Sequence, residues 1–202
     1  MDFEQARDNM VEQQIRTWEV LDQAVLDCVT FIPRHEFVPE FYRTLAYSDS
    51  EIPLGYGEKM MTPKLEARLI QALNLSSNDR VLEVGTGSGY LTALLAHQSA
   101  HVTSIEFRSA LLEVAMANLK LRGFTNIEFE QGDGIDGCKS KEPFEAIVLT
   151  GSVAKPSLLI ERQLTIGGRA FMVIGTSPAM EAHLITRVGE SEFVSEILFE
   201  TN

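Results

Sequence analysis

Three glycines alternate at Gly85, Gly87 and Gly89, an acid, Glu83, stands two residues before them, and a second acid, Glu106, follows about twenty residues later. Alternating glycines let the backbone turn sharply and let a ligand approach the main chain. A helix that begins at such a turn aims its free N–H groups at whatever the turn holds. A carboxylate about twenty residues on, at the tip of the next strand, accepts both hydroxyls of a ribose. Asp133, between Gly132 and Gly134, offers a third acceptor, suited to an adenine amino group; its other reading is an ordinary turn. Glu83 lies inside the apolar run Val81 to Val84, and a buried acid must be paired or hydrogen-bonded. These residue types at these spacings describe a pocket for a nucleoside that carries no phosphate on its ribose.

The spacing separates two kinds of nucleotide site. A dinucleotide fingerprint is GxGxxG, whose third glycine packs helix closely on strand. Here the pattern is GxGxG, and Tyr90 occupies the sixth position, which argues against an NAD-dependent oxidoreductase. There is no P-loop Gly-Lys-Ser/Thr. The shortened pattern with its leading acid resembles motif I of the S-adenosylmethionine-dependent methyltransferases with the Rossmann-like fold. The remaining alternative is a tight strand-to-helix turn without a ligand. The resemblance implies S-adenosylmethionine as cofactor and gives Glu83 a partner, the ammonium of the methionyl end. Structural partners for Glu83 are Arg80 or a backbone amide.

The elements that position these residues follow from pattern and punctuation. Phe3, Ala6, Met10 and Ile15 give a narrow apolar stripe to a helix over residues 3–16. Asp22 is placed to cap a second helix, which Pro33 ends. Residues 46–58, with Pro53, Gly55 and Gly57, read as a long loop, and Thr62-Pro63 opens a helix running to about Leu73. Strands and helices then alternate: strands at residues 80–84, 101–106, 126–130, 144–150 and 169–174, with helices over 89–97, 109–121 and about 156–163. Two last strands, 182–188 and 193–199, lack a helix between them and should form an antiparallel hairpin around Gly189-Glu190. Alternating βα units give an α/β, doubly wound, mostly parallel sheet of about seven strands. The expected organisation is a single domain over 1–202, with a helical and loop extension (1–63) before a cofactor-binding core (64–202).

Composition narrows the partners. The 202 residues, 45% of them hydrophobic, suffice for one full core. A net charge of −12 repels phosphate backbones, which argues against nucleic acid. Cys28 and Cys138 lie far apart and read as reduced, buried thiols, and the four histidines make no metal motif. Met1 leads straight into Asp2-Phe3-Glu4 without a signal peptide, and no apolar run is long enough to span a bilayer. The expectation is a cytoplasmic protein, a monomer or weak dimer, with neither a nucleic-acid nor a membrane partner.

Over nearly its whole length the chain is similar to the protein-L-isoaspartate O-methyltransferase family. The residues that carry this are motif I together with 10–16 (Met-Val-Glu-Gln-Gln-Ile-Arg), 33–39 (Pro-Arg-His-Glu-Phe-Val-Pro), 46–49 (Ala-Tyr-Ser-Asp) and 52–55 (Ile-Pro-Leu-Gly). The resemblance implies methylation of the free carboxylate of an isoaspartyl residue, which lets damaged protein return through a succinimide towards aspartate. It places Met60, Glu83, Gly85, Thr86, Gly87 and Ser88 with Gly89 and Tyr90 at the cofactor. It adds Glu106, Phe107, Gly132, Asp133 and Gly134, and Thr150 of a Thr150-Gly151-Ser152 run similar to the family's Thr-Ala-Ala. One position departs from the pattern: counting back from Pro63, Met61 stands where the family carries an active-site serine. A thioether donates no hydrogen bond, and Thr62 offers a hydroxyl one position away.

Methyl transfer to a carboxylate needs no general base, because the nucleophile is already ionised at neutral pH. Alignment and exclusion of water remain, which is positioning. Met60, Met61 and Thr62 are then expected to wall the methyl-transfer site; otherwise the methionines are core filler. Three readings follow: an isoaspartyl methyltransferase with a peptide or protein carboxylate as acceptor, a methyltransferase of another acceptor, and a non-catalytic cofactor-binding module.

Overall fold

A computed structural model describes residues 2–201. Asp2 caps α1 (Phe3–Met10) by accepting the Glu4 and Gln5 amides. The helix predicted to reach residue 16 does not continue in α form: the backbone widens over Val11–Ile15, then tightens over Arg16–Trp18 and stops at Glu19. The change lets Met10, Val11, Ile15 and Val20 all enter the core, a wider spread than one narrow α-helical stripe presents. Asp22 caps α2 (Gln23–Phe31) as its position predicts, accepting the Ala24 and Val25 amides.

The segment read as a loop contains a hairpin instead: β1 (Ile52–Gly55) pairs antiparallel with β2 (Glu58–Met60), Ile52 opposite Met60. Its proline and glycines signal a loop, yet proline is tolerated in an edge strand, and here every strand is an edge. The tip, Gly55-Tyr56-Gly57, turns through left-handed backbone. α3 (Pro63–Leu73) follows with proline at its first position, and the Thr62 hydroxyl makes no capping bond.

The remaining elements alternate. They are β3 (Arg80–Val84), α4 (Tyr90–Gln98), β4 (His101–Glu106), α5 (Ser109–Leu121), β5 (Ile127–Gln131) and β6 (Phe144–Val153). A short α6 (Leu158–Glu161), β7 (Leu164–Thr176), β8 (Ala179–Arg187) and β9 (Phe193–Thr201) complete the chain. The α6 helix is shorter and β7 longer than the sequence suggests, because β7 starts before Gly167-Gly168 and the β6–β7 ladder shifts register beside them.

The strands form one seven-stranded sheet in the order β5-β4-β3-β6-β7-β8-β9. The first five are parallel; β8 and then β9 add antiparallel. Parallel strands are covered on both faces, and Ala146, Ile147, Val148 and Leu149 of β6 are all buried. The fold is α/β and Rossmann-like. The winding order reverses between the parallel neighbours β3 and β6, outward to β4 and β5 on one side and to β7 on the other, so a crevice opens at their carboxyl ends, where ligands bind in such sheets.

The N-terminal residues join the same core. Met10, Ile15 and Leu26 belong to one apolar cluster with Leu69 of α3, Leu94 of α4 and Phe171 of β7. The Gln71 amide fastens them: its oxygen accepts the Leu21 and Asp22 amides at 2.8 and 3.1 Å, and its nitrogen donates to the Glu19 carbonyl at 2.9 Å.

Candidate functional site

The first βα turn leaves β3 at Val84. The Gly85 amide donates to the Ile105 carbonyl at 2.8 Å, tying the turn to β4. Across it, Thr150 Oγ1 lies 3.0 Å from the carbonyl oxygens of both Val84 and Gly85. A Cβ on Gly85 would sit 2.0 Å from that hydroxyl, so only glycine fits. Gly89 makes a close approach of its own, to the neighbouring helix: a Cβ there would lie 3.3 Å from the Ala115 Cα of α5. Tyr90 is buried among Phe37, whose ring centroid is 5.5 Å away, and Arg34, whose guanidinium carbon lies 4.9 Å over the ring.

Glu106 closes β4 with its carboxylate held from two sides. Oε2 accepts the Gly87 amide at 2.9 Å and Oε1 the Arg108 amide at 2.8 Å. Each carboxylate oxygen has a further lone pair, so a buried acceptor is preset at the strand tip. Asp133, exposed after β5, accepts the Ile135 amide at 3.0 Å, and Gly134 backs against Val84.

These groups border a cavity of about 270 Å³ at the carboxyl ends of β3, β4, β5 and β6. Small-molecule sites begin at roughly that size, about 300 Å³. Of the residues the sequence singles out, Met60, Met61, Gly85, Thr86, Gly87 and Ser88 line it. So do Glu106, Phe107, Gly132, Asp133, Gly134 and Thr150. Thr62, Glu83, Gly89 and Tyr90 do not appear in the lining. Gly89 and Tyr90 shape the turn from behind, and Met61 borders the cavity where Thr62 does not. At this wall the cavity is thus bordered by a thioether and not by the Thr62 hydroxyl.

Glu83 departs most from expectation. It is fully buried behind the turn, it does not border the cavity, and Arg80 does not meet it. Arg80 instead donates to the Lys141 and Pro143 carbonyls at 2.7 and 3.2 Å. Glu83 Oε2 accepts the Thr92 and Ser104 hydroxyls, each at 2.6 Å, and Oε1 has no partner among the described residues. Burial pushes its carboxyl up to about 8, against the pull of those two hydroxyls. Ser104 also meets Thr86 Oγ1 at 2.6 Å, so a hydroxyl pair separates Glu83 from the cavity wall.

The sequence reading missed several wall residues. Leu54, Glu58 and Lys59 come from the hairpin, Leu91 from α4, Gly151 from β6 and Glu66 from α3. Glu66 is a buried carboxylate whose Oε2 pairs with Arg34, itself fully buried. A second Arg34 nitrogen donates to the Met61 carbonyl, so the pair fixes the backbone of the cavity wall. Burial raises the Glu66 carboxyl to about 7 while Arg34 pulls it down. Both cysteines are buried and free, and burial drives the Cys28 thiol up to about 12, which makes it inert. Among the described residues no helix is long and apolar enough to cross a membrane.

The arrangement fits an adenosyl ligand: a glycine turn bordering the cavity at Gly85 and Gly87, a clamped carboxylate at Glu106, and an apolar wall from Leu54, Met60, Met61 and Leu91. Comparison with known proteins agrees. The family model described as protein-L-isoaspartate(D-aspartate) O-methyltransferase matches residues 5–201. A protein-L-isoaspartate O-methyltransferase 1 from Rhodopseudomonas palustris is 40% identical over 179 residues, covering 89% of this chain and 73% of that protein. A protein-L-isoaspartate O-methyltransferase from a Roseiflexus species is 37% identical over 191 residues, 95% of this chain and 87% of that one. Among solved structures, a Plasmodium falciparum chain described as a protein-L-isoaspartate O-methyltransferase in complex with S-adenosyl-L-homocysteine superposes with a TM-score of 0.81. It covers 97% of this chain and 95% of its own, at 21% identity, a likeness of fold. The chain belongs to the protein-L-isoaspartate O-methyltransferase family.

Proposed function

We infer that this chain is an S-adenosylmethionine-dependent methyltransferase whose acceptor is the free carboxylate of isoaspartyl residues in damaged proteins. The observation that carries the reading is the match to the family model over residues 5–201, joined to a cavity that the motif I turn and Glu106 border. Glu106 serves the ribose, Asp133 the adenine side with Gly132, Gly134 and Phe107, and the 85–89 turn the methionyl end. Met60, Met61 and Thr150 complete the cofactor wall.

When bound, the sulfonium supplies a methyl group already activated for transfer. The chain itself aligns and dries the site. An isoaspartyl carboxylate arrives ionised, so no side chain has to remove a proton. Leu54, Met60, Met61 and Leu91 exclude water, and the Arg34 bond to the Met61 carbonyl holds that wall in place. The whole chain acts as one methyltransferase domain, residues 1–63 forming the acceptor-side cover. Its acidity argues for a protein or peptide partner rather than nucleic acid, and the cytoplasm, where proteins age in contact with cofactor, is the proposed location. A monomer or weak dimer suffices, since one chain supplies every wall.

A second reading keeps the cofactor and changes the acceptor. It is favoured by Met61, which lines the cavity where the family carries serine. Transfer of a radiolabelled methyl group to an isoaspartyl peptide, with Met61→Ser in parallel, separates the two. Transfer by the wild type supports the first reading. A silent wild type with an active Met61→Ser variant supports the second.

A further inference from the structure

The methionyl end of the cofactor proposed above is a zwitterion, and in a dry site its ammonium requires an anionic partner. Glu83 is the acid that motif I offers, but it lies behind the turn with Thr92 and Ser104 on its carboxylate. Four carboxylates do line the cavity: Glu58, Glu66, Glu106 and Asp133. Glu106, clamped by the Gly87 and Arg108 amides at the β4 tip, has its remaining lone pairs assigned to the ribose hydroxyls in the reading above. Asp133 is exposed beyond β5, and Glu58 is half exposed on the hairpin, 3.7 Å from Arg108 Nε. Glu66 alone is both buried and on the α3 side of the cavity, beside Met61 and the start of the turn.

We propose that Glu66, held by Arg34, receives the ammonium group at the methionyl end of the cofactor, in the role that the motif I acid was expected to fill. The inference rests on the cofactor reading of this site and names a contact within it. Arg34 is fastened on three sides, by Glu66, by the Met61 carbonyl and by the face of Tyr90. It cannot swing away with a ligand, so it presents the carboxylate in one orientation. It occupies Oε2 and leaves Oε1 without a donor among the described residues, in a side chain that borders the cavity. A zwitterion brings no net charge to the buried pair, so its ammonium can be held there without an uncompensated ion.

Calorimetric titration with two ligands tests this. S-adenosylhomocysteine carries the amino-acid end; 5′-methylthioadenosine shares the adenosyl thioether and lacks it. Glu66→Gln should weaken S-adenosylhomocysteine by about tenfold or more, the factor that one charge-assisted hydrogen bond carries, and leave 5′-methylthioadenosine unchanged. Retained binding of the second ligand also shows that the variant is folded. Should Glu66→Gln fail to fold, the joint change Arg34→Met with Glu66→Leu removes both charges together and is read in the same way. Equal affinity of wild type and variant for S-adenosylhomocysteine, or an equal fractional loss for both ligands, overturns the proposal. A wild type that binds neither ligand rejects the cofactor reading itself, an outcome distinct from a failure of Glu66.

Discussion

Thr150 occupies the space that a side chain at Gly85 would need. Its hydroxyl oxygen lies 3.0 Å from the carbonyl oxygens of Val84 and Gly85 and 2.0 Å from where a Cβ on Gly85 would stand. Two strands that are neighbours in the sheet but distant in sequence are thereby latched at the mouth of the cavity. Gly85→Ala should destabilise the fold by about 1–3 kcal/mol, the usual cost of overpacking, and should abolish saturable binding of S-adenosylhomocysteine. Adding Thr150→Ala should restore part of the stability only, because Gly85 has φ 101, which an L side chain rarely adopts. Thermal melting and calorimetry read both effects.

Glu106 is a test of the nucleoside pocket. Glu106→Gln removes the negative charge and keeps one oxygen for one of the two backbone amides, leaving the other amide facing an NH2 group. Affinity for S-adenosylhomocysteine should fall by about ten- to a hundredfold, on the scale of a lost charge-assisted hydrogen bond, with a stability loss of about 1–3 kcal/mol for the unsatisfied amide. Unaltered affinity would remove Glu106 from the ribose site.

The Arg34–Glu66 pair should behave asymmetrically under substitution. Arg34→Ala leaves a buried carboxylate unpaired and should cost about 3–5 kcal/mol in urea denaturation. Arg34→Met joined with Glu66→Leu should cost far less, since two apolar groups replace two ions. A single substitution no more harmful than the double one would mean that the pair is not coupled.

Glu83 predicts how stability depends on pH. Its carboxyl is raised from 4.5 to about 8 by burial, so the folded protein holds a proton that the unfolded chain releases. Its contribution is fully present below pH 4.5 and is lost as pH rises through 8. At about 1.4 kcal/mol per unit the span amounts to a few kcal/mol. Glu66, raised to about 7, adds to the same slope. Wild-type melting temperature should therefore decline from pH 6 to pH 9. Glu83→Gln, neutral throughout, should flatten that decline; an undiminished slope in the variant would assign it elsewhere.

What could be read from the sequence was what local chemistry marks. The glycines of the turn, the Asp22 cap, the β4 strand and the α5 helix fall where expected because each rests on neighbouring residues. The hairpin at 52–60 was hidden because proline and glycine signal loops equally well. Glu66 was hidden because the apolar positions Leu65, Leu69, Ile70 and Leu73 identify the helix but say nothing about an acid among them. Arg34 gave a signal that was not used: a lone cation inside an apolar, proline-bracketed connector has to find an anion. The Thr92 and Ser104 partners of Glu83 were hidden because strand alternation leaves open which side of the turn a side chain takes. Tyr90 at the sixth position speaks against a dinucleotide from its size alone, whereas the close approach of Gly89 to α5 is disclosed only by the contact with Ala115.

The hairpin β1–β2 shares no hydrogen-bonded ladder with the seven-stranded sheet. It leans on the first βα turn through Leu54, near Gly87, and on the β4–α5 turn through the half-exposed Glu58–Arg108 pair at 3.7 Å. A surface ion pair of that kind holds by less than about 1 kcal/mol. Ile52 and Met60 root the base of the hairpin in the core, so only its tip resembles the leaf of a door: swinging residues 54–58 outward would widen the cavity mouth without unzipping a single parallel strand. Faster amide exchange at residues 54–58 than at residues 81–84 is the trace such a door would leave.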